Sequence, residues 1–368
     1  MASIARTEPD ARGAEAGVNH AYTVHPLHDP EWAELVDRHP RSSIFHTVAW
    51  LRALHRTYGY EPIAYTTSAP GQALRDGLVF CRVASWITGR RLISLPFSDH
   101  CEPLLENAGD GRKFVSAIEQ ALFAERLRYV EIRGTCDLFG ATCLSRSTQT
   151  YCFHTLDLEP DLATLFHNCH RSSTQRKILR AQREGVVCET GRSPKLLDVF
   201  YDLLLMTRRR HRVPPQPKAW FRNLIDCFAD ALDIRVAFKG KQPVAAILTL
   251  RHKNTLVYKY GCSDTRFNNL GGTQLLFWRS IQAARHEGLS FFDLGRSDLD
   301  NKGLIAFKDR LGSARATLTY SRFAVSPLSD KDPLNARGSL SRVGTSIVPL
   351  LPSWLLRAVG SAVYRHIA

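Results

Sequence analysis

The sequence predicts a mixed α+β protein built from two similar halves. Apolar runs typical of strands are interspersed with segments of helical periodicity. One order of elements occurs twice along the chain: helices, a three-stranded meander, a polar loop, a helix and a strand. A length of 368 residues also exceeds what a single hydrophobic core usually fills. The halves share no residue-level repeat, so the predicted duplication is one of architecture.

The first half begins with helices. Apolar residues at helical spacing, among them Trp50 and Leu54, predict helices over 29–39 and 47–58. Apolar runs and period-2 alternation predict most of the elements that follow. These are strands over 60–67, 77–84 and 90–97, a helix over about 111–126, and strands over 128–134 and 151–158.

A long helix opens the second half. It is predicted over about 161–184 and ends at Gly185, because glycine commonly terminates helices. Glycine and asparagine in the turns GKQ and KN suit tight hairpins. The other predicted elements are the strand GVVCET, helices over 196–211 and 219–231, the strands DIRVAFK, PVAAILTLRH and TLVYKYG, a helix over 273–287, the strand LSFFDLG, a short helix within GLIAFKDRLG, and the strand ARATLTYSRF.

The predicted organisation is a loose tail (1–20), a first domain (21–158), a second domain (159–325), and a linker with an amphipathic tail (326–368). The chain shows neither the apolar core of a secretory signal nor a run of about 18 apolar residues. We therefore expect a cytoplasmic protein of unknown oligomeric state. The amphipathic tail either packs on the protein body or lies peripherally at the inner face of the membrane.

Positive charge is concentrated in one region. Lys and Arg number 49 against 35 Asp and Glu, which gives a net charge of +14. Residues 171–222 alone hold thirteen Lys and Arg against four Asp and Glu. Such an excess indicates a polyanionic partner, namely nucleic acid, an anionic membrane or a phosphorylated ligand. The alternative is a basic surface that is simply solvated.

Several other kinds of chemistry find no support in the sequence. Nine cysteines at irregular spacing, without a CxxC pair, argue against a disulfide framework or a zinc knuckle. His167, Cys169 and His170 do not converge on one face of a helix, so no metal site is predicted. The chain has no G-x-S-x-G elbow and no P-loop motif, so hydrolase and P-loop functions are not indicated.

Local sequence in the second half is more specific. The informative pieces are RSSTQRKILRAQREGV (171–186), FYDLLLMTRRRHRVPPQP (200–217), TLVYKYGCSD (255–264), LGGTQLLFWRSIQAARHEGLSFFDLGRS (270–297) and GLIAFKDRLG (303–312), with the weaker LPFSDHCEPL (95–104) in the first half. Through them the chain over about 40–325 resembles the Fem-type aminoacyl transferases and the BioF2-like acetyltransferase domains of the GNAT superfamily. The resemblance implies two tandem GNAT-like domains.

The resemblance also implies a reaction. An acyl or aminoacyl group would pass from acyl-CoA or aminoacyl-tRNA to an amine of a phosphorylated, lipid-linked or sugar-containing precursor of the envelope or of exopolysaccharide. Such a transfer relies on positioning and oxyanion stabilisation, without a covalent enzyme intermediate. The competing hypothesis is a non-catalytic RNA- or polyanion-binding protein that uses residues 171–222. It predicts steep salt dependence and no acyl transfer.

Three residues are candidates for catalysis. Lys308, in AFKDRLG, matches the FK motif of the family. A lysine there would stabilise charge on the attacked carbonyl, or hold a carboxylate or phosphate of the acceptor, unless it is an ordinary surface lysine. Asp99 and His100, in PFSDH, are candidates for a general base from the first domain, unless they simply form a turn.

Other residues are expected to line an acceptor channel. Asp293, Arg296 and Ser297, in FDLGRS, fall where a GNAT strand ends beside that channel. Tyr258 and Tyr260 are expected on one face of the strand TLVYKYG, where they either line the channel or fill the core.

A last group is expected to bind phosphate. Arg176 and Arg180 recur at helical spacing with Lys177 adjacent, and would bind phosphate oxygens if this face is not merely solvated. Arg210 is placed like a family arginine that contacts a nucleotide-linked diphosphate. A further pair occupies the place of the GNAT pyrophosphate loop, although its sequence departs from the family pattern, and the alternative is an ordinary glycine entry to a helix. That pair is Gly271 and Gly272, in RFNNLGG.

Overall fold

Within the part of the chain that the structure describes, both halves contribute strands to one mixed sheet of twelve strands. The structure, a computed structural model, describes residues 21–86, 88–106, 111, 113–134, 144–326 and 351–366. The predicted tail over 1–20 and most of the predicted linker lie outside the described residues. The α+β class predicted from the sequence is confirmed.

The first half contains three helices and six strands within the described residues. They are β1 (Tyr22–Val24), α1 (Pro30–Arg38), α2 (Val48–Tyr58), β2 (Glu61–Thr66), β3 (Leu78–Ser85), β4 (Gly89–Ile93), α3 (Lys113–Ala124), β5 (Tyr129–Gly134) and β6 (Ser145–Asp157). Local sequence sets the limits of the helices. Asp29 caps α1 by accepting from the Glu31 N–H, and Gly59 ends α2 in the left-handed conformation.

The second half is described from α4 to the last helix. Its elements are α4 (Leu162–Asn168), α5 (Arg176–Arg183), β7 (Val186–Gly191), α6 (Pro194–Arg210), α7 (Lys218–Phe228), β8 (Leu232–Lys239), β9 (Gln242–His252), β10 (Thr255–Ser263), α8 (Gly272–His286), β11 (Phe291–Asp298), α9 (Lys302–Asp309), β12 (Ala314–Ala324) and α10 (Ser353–Tyr364). A short π-turn, Arg171–Gln175, precedes α5.

The two halves exchange strands at the centre of the sheet. The strand order is β1-β2-β3-β4-β5-β12-β6-β11-β10-β9-β8-β7. The last described strand along the chain, β12, thus lies between β5 and β6, and β6 lies between β12 and β11. The domain boundary predicted at 158 and 159 follows β6 along the chain, and the sheet itself is continuous across it.

Helices cover both faces of the sheet in the second half. Alternate residues of β8 and β9 belong to different hydrophobic clusters, because successive side chains of a strand point to opposite faces. Ile234 and Leu248 pack in the cluster that contains α6 and α7. Ala237 and Ile247 pack in the cluster that contains α5 and α8. The site therefore rests on a sheet that is buried on both sides.

The prediction of a single helix over 161–184 is wrong. The chain leaves the helix after α4, and the Gln175 side-chain amide donates to the carbonyl oxygens of Phe166 (3.0 Å), His167 (3.1 Å) and Cys169 (2.7 Å). These bonds satisfy the last carbonyls of α4. One polar side chain thus stabilises the break between the two helices, and the apolar periodicity of the sequence gives no sign of it.

Two predicted strands also have different limits. The strand predicted over 90–97 ends at Ile93, because Leu95 turns the chain with a φ of +55°. The strand predicted over 151–158 begins six residues earlier, at Ser145. Its polar start, SRSTQT, is held by pairing with β12, which sequence alternation cannot reveal.

The C-terminal helix α10 packs on the protein body. Leu356 is fully buried, and the Tyr60 hydroxyl donates to the Tyr364 carbonyl oxygen at 2.9 Å. Gly360 lies against Pro215 so closely that an added Cβ would be 2.1 Å from the Pro215 carbonyl oxygen. The described part of the tail therefore packs on the protein body, which is the first of the two alternatives that the sequence predicts. Peripheral contact with a membrane stays a prediction.

Candidate functional site

The candidate site lies where the neighbouring parallel strands β10 and β11 separate. Their parallel register runs from Thr255 opposite Phe291 to Val257 opposite Asp293, and both strands continue beyond it. A loop of the first half, residues 94–101, reaches this opening and contacts both strands. We call it the site loop.

Side chains of β5 and β12 hold the site loop in place. The Arg133 guanidinium donates to the carbonyl oxygens of Leu95 (2.9 Å) and Ser98 (3.1 Å). The Tyr320 hydroxyl donates to the Asp99 carbonyl oxygen at 2.7 Å. Because Leu95 has a backbone conformation that is costly for a residue with a Cβ, tertiary contacts rather than local preference fix this loop.

Asp99 binds Lys259 of β10. The Lys259 Nζ lies 2.7 Å from the Asp99 Oδ2, and the Arg296 Nε lies 4.0 Å from the Oδ1. Burial alone would raise the pKa of Asp99, but the charges of Lys259 and Arg296 hold that pKa below its usual value. Gly295 allows this approach, since a Cβ there would lie 3.2 Å from the Asp99 carboxylate. Asp99 is therefore an ionised carboxylate at neutral pH.

His100 pairs with Asp293 of β11. Its Nε2 lies 2.9 Å from the Asp293 Oδ2, and the Asp293 Oδ1 accepts from the Gly295 N–H at 2.7 Å. Burial lowers the pKa of His100, but the bond to Asp293 and its charge outweigh burial and raise the pKa above its ordinary value. The histidine ring packs edge-on against Phe45 and Phe153. The predicted pair from the first half thus contacts strands of the second half.

Lys308 is buried beside these carboxylates. It is 2% exposed, and its Nζ donates to the carbonyl oxygens of Gly295 (2.8 Å) and Arg296 (3.0 Å). Burial lowers the pKa of Lys308 to about 8, and the nearby carboxylates of Asp99 and Asp293 limit the decrease. The alternative that Lys308 is an ordinary surface lysine is therefore wrong.

The other channel residues differ in what they contact. The Arg296 guanidinium lies over the rings of Tyr151 and Tyr320, 4.1 and 5.0 Å from their centroids. Ser297 is buried, and its Oγ has no hydrogen-bond partner among the described residues. Tyr260 is buried, and its hydroxyl accepts from the Trp220 Nε1 at 2.8 Å. It therefore packs in the hydrophobic core and does not lie at the surface.

Tyr258 and Tyr260 do not share a face as predicted. A β-bulge interrupts β10 between them. Tyr258 packs against Phe277 of α8, whereas Tyr260 packs against Phe221 of α7 on the other side of the sheet. The bulge shifts the alternation by one residue, so strict period-2 reasoning fails here.

A cavity of about 200 Å³ lies at the N-terminus of α8, and we call it the α8 pocket. Lys177, Ser263, Gly272 and Phe307 are among the residues that line it. The N-terminal N–H groups of a helix lack intrahelical partners, and the helix dipole favours an anion there. Phe307 precedes Lys308 in the chain, so the pocket adjoins the segment that carries the buried lysine.

Of the two predicted glycines, Gly272 lines this pocket and Gly271 directly precedes it, and both positions are too close to neighbouring atoms for a Cβ. Gly271 has a φ of +77°, and an added Cβ would lie 2.3 Å from the Lys177 carbonyl oxygen. A Cβ on Gly272 would lie 2.8 Å from the Val244 side chain. Glycine therefore allows α5, β9 and the start of α8 to meet closely.

The predicted basic residues divide between the pocket and the surface. Lys177 lines the α8 pocket, and the Arg210 guanidinium donates to the carbonyl oxygen of Ser263, another lining residue, at 3.3 Å. Arg176 is exposed, and the Arg180 Nε lies 3.9 Å from Glu184 on the same helix. Neither Arg176 nor Arg180 is among the residues that line the pocket.

Lys259 is a site residue that was not among the predictions. Its ammonium lies 5.3, 5.9 and 5.7 Å from the ring centroids of Phe45, Trp50 and Tyr260, in addition to its bond to Asp99. A lysine inside the otherwise apolar strand TLVYKYG is a signal that could have marked it. Arg133 and Tyr320, which position the site loop, carry no comparable signal in the sequence.

The described residues contain no cluster of three His, Cys, Asp or Glu side chains placed to hold a metal ion. Within the same ranges, no helix is both long and apolar enough to cross a membrane.

Comparison with known families matches residues 169–307 to the acetyltransferase (GNAT) domain. UDP-N-acetylmuramoylpentapeptide-lysine N(6)-alanyltransferase of Weissella viridescens is 27% identical over 152 residues, which cover 40% of this chain. The chain thus aligns with 45% of the length of that relative.

Solved structures share the fold over most of the chain. FemX has a TM-score of 0.61 at 12% identity, covering 78% of this chain and 94% of its own. The C-terminal domain of a putative lysylphosphatidylglycerol synthetase from Agrobacterium fabrum has a TM-score of 0.55 at 14% identity, covering 84% and 95%. A tandem GNAT protein from the clavulanic acid biosynthesis pathway has a TM-score of 0.52 at 13% identity, covering 84% and 100%. The predicted tandem GNAT-like fold is confirmed.

Proposed function

Because residues 169–307 match the acetyltransferase (GNAT) domain and the fold is similar to that of FemX, we propose that the chain transfers an acyl or aminoacyl group to an amine. The observation that carries this proposal is the meeting of Asp99, Lys259 and Lys308 where β10 and β11 separate. Buried charges in fixed positions are suited to a reaction in which charge develops on a carbonyl oxygen.

We assign different tasks to the charged residues of the site. Lys308 supplies positive charge to the oxygen of the attacked carbonyl. His100, supported by Asp293, exchanges the proton of the attacking amine, because an imidazole with a carboxylate partner is a stronger base. Asp99 holds Lys259 and attracts a cationic acceptor amine to the opening.

The α8 pocket favours acyl-CoA as the donor. It offers helix N-terminal N–H groups together with Lys177, and Arg210 lies at its edge. That combination suits a diphosphate. Aminoacyl-tRNA is the second candidate, favoured by the exposed basic side chains of α5, which include Arg176 and Arg183.

The acceptor in this proposal is an amine on a phosphorylated or sugar-containing precursor of the cell envelope. Support comes from the name of the Weissella viridescens relative, which specifies a UDP-linked muramoylpentapeptide. An exopolysaccharide precursor stays a prediction from the sequence. The rival hypothesis of a polyanion-binding protein does not account for a buried charged site adjoining the α8 pocket.

A direct assay tests the proposal. Purified protein is incubated either with labelled acetyl-CoA or with tRNA charged with labelled amino acid, and with a panel of UDP-linked muramoyl peptides and amino sugars. We expect label in an amide product with one donor class, and loss of that product in Asp99→Asn. Salt-sensitive RNA binding without any product would favour the rival hypothesis.

Gly271→Ala is expected to weaken coenzyme A binding by at least about tenfold. The added methyl group would lie 2.3 Å from the Lys177 carbonyl oxygen, so α5 and α8 must move apart at the pocket. Isothermal titration of coenzyme A measures the change. Gly288→Ala is the matched control, since Gly288 also has a positive φ, of +76°, but has no heavy atom within 4 Å of the added Cβ. Equal affinity in the two variants would show that the ligand does not use this pocket.

A further inference from the structure

A second cavity, of about 370 Å³, lies in the first half of the chain. It is bordered by the turn from α2 to β2, by β3 and β4, and by the end of the C-terminal helix α10. The site loop follows β4 at Ile93, whereas Arg90 and Arg91, which line this cavity, lie at the start of the same strand. The cavity is therefore distinct from the site described above.

Arginine dominates the charge of this cavity, which we call the arginine pocket. Its lining includes four arginines, Arg82, Arg90, Arg91 and Arg365, and two glutamates, Glu61 and Glu125. Both glutamates lie beside other side chains, an arginine for Glu125 and two histidines for Glu61. Glu125 accepts two hydrogen bonds from Arg82, at 3.0 and 2.8 Å, and Glu61 lies 3.7 and 3.5 Å from two histidines.

The other three arginines of the pocket, Arg90, Arg91 and Arg365, have no carboxylate oxygen within 4 Å of their guanidinium groups among the described residues. The buried one is the most informative, because Arg91 is only 1% exposed. It donates to the Tyr129 hydroxyl (3.3 Å) and to the His366 carbonyl oxygen (2.9 Å). Its Nε has no hydrogen-bond partner in the described part of the chain. A buried guanidinium that meets only neutral acceptors is costly, unless an anion completes its surroundings.

We propose that the arginine pocket binds a phosphate ester. Guanidinium groups bind phosphate oxygens in pairs, and Arg90 and Arg365 are exposed enough to reach a ligand from solvent. The cavity volume leaves room for a small organic group beside the phosphate. Since Arg365 and His366 directly follow α10, the ligand also fastens the C-terminal segment to the first half.

Two sources could supply this phosphate chemistry, a soluble phosphate ester or a lipid headgroup. Trp86, in the turn between β3 and β4, is 87% exposed, and its ring lies 6.0 Å from that of His366. Exposed tryptophan beside arginine is typical of side chains that enter a membrane interface. The experiment therefore includes one arm for each source.

In the first arm, the unfolding temperature of the full chain is measured with increasing glycerol 3-phosphate at constant ionic strength. In the second arm, the protein is sedimented with phosphatidylcholine vesicles that contain or lack phosphatidic acid. The double variant Arg90→Gln/Arg365→Gln removes two exposed charges from the pocket. The control Arg222→Gln/Lys241→Gln removes two exposed charges elsewhere.

We expect saturable binding of the wild type in one arm. For the soluble ester this means a rise in Tm of about 3 °C, and for the lipid it means sedimentation with the anionic vesicles alone. The control variant should bind with the affinity of the wild type. The pocket variant should bind at least about tenfold more weakly. Binding by the pocket variant equal to that of the control, or no binding by the wild type in either arm, overturns the proposal. Acyl transfer is expected to be unchanged in the pocket variant.

Discussion

Lys308→Met is expected to lower kcat for acyl transfer by at least about 100-fold, while leaving the fold intact. The variant removes the positive charge that we assign to the attacked carbonyl but keeps a side chain of similar length. Because burial lowers the pKa of Lys308 to about 8 from 10.5, the charged lysine destabilises the folded state by about 3 kcal/mol below pH 8. The free energy of unfolding at pH 7 should therefore be equal or higher in the variant.

Lys302→Met is the matched control, since Lys302 lies on the same helix and is exposed. Its kcat should stay within about twofold of the wild type. Lys308→Arg adds a second readout. The wild-type rate should fall as pH rises through about 8, where Lys308 loses its proton, whereas an arginine stays charged and should remove this decline. A wild-type rate that is retained in Lys308→Met would exclude the assigned role.

Glu131→Gln is expected to lower the free energy of unfolding by about 3–5 kcal/mol. Glu131 is 2% exposed and accepts from Arg133 at 2.8 Å and from Arg322 at 2.7 Å. Burial alone would raise the pKa of Glu131, but the two guanidiniums lower it to about 2. The amide cannot balance the positive charges of the buried Arg133 and the partly buried Arg322. Urea denaturation at pH 7 measures the loss.

The same ion cluster predicts a pH dependence. A carboxyl whose pKa is lower in the folded state stabilises the protein above its unfolded pKa, near 4.5, and this stabilisation disappears as pH falls towards 2. Glu131→Gln should therefore flatten the loss of stability over that range. Glu287→Gln, which breaks the half-exposed pair of Arg251 and Glu287, serves as the control and should cost at most about 1 kcal/mol. Equal losses in the two variants would contradict the prediction.

The order of the elements could be predicted because it depends on local patterns. Apolar periodicity and caps such as Asp29 or Gly59 act within a few residues, and the corresponding helices begin and end close to where the sequence indicates. Gln175 shows the limit of this reasoning. It ends α4 through side-chain bonds to carbonyl groups, which no periodic pattern records.

The candidate site was predictable to the extent that single residues carried a signal. Lys308 and the pair Asp99 and His100 stand in recognisable local sequences, and the structure brings them together. Lys259 and Arg133 act through contacts between distant parts of the chain. Their positions depend on the site loop, whose course is set by Arg133 and Tyr320 from other strands, so the sequence alone could not place them.

The exchange of strands has a consequence for how the protein reaches its native state. β12, the last described strand along the chain, must insert between β5 and β6, which precede it by most of the second half. Such non-local pairings are slow to form, because the entropy of closing a long loop is lost before any contact compensates for it. During synthesis, the first half emerges with one side of β5 and both sides of β6 unpaired. Nascent chains of this protein should therefore be susceptible to edge-to-edge association until synthesis has passed residue 324.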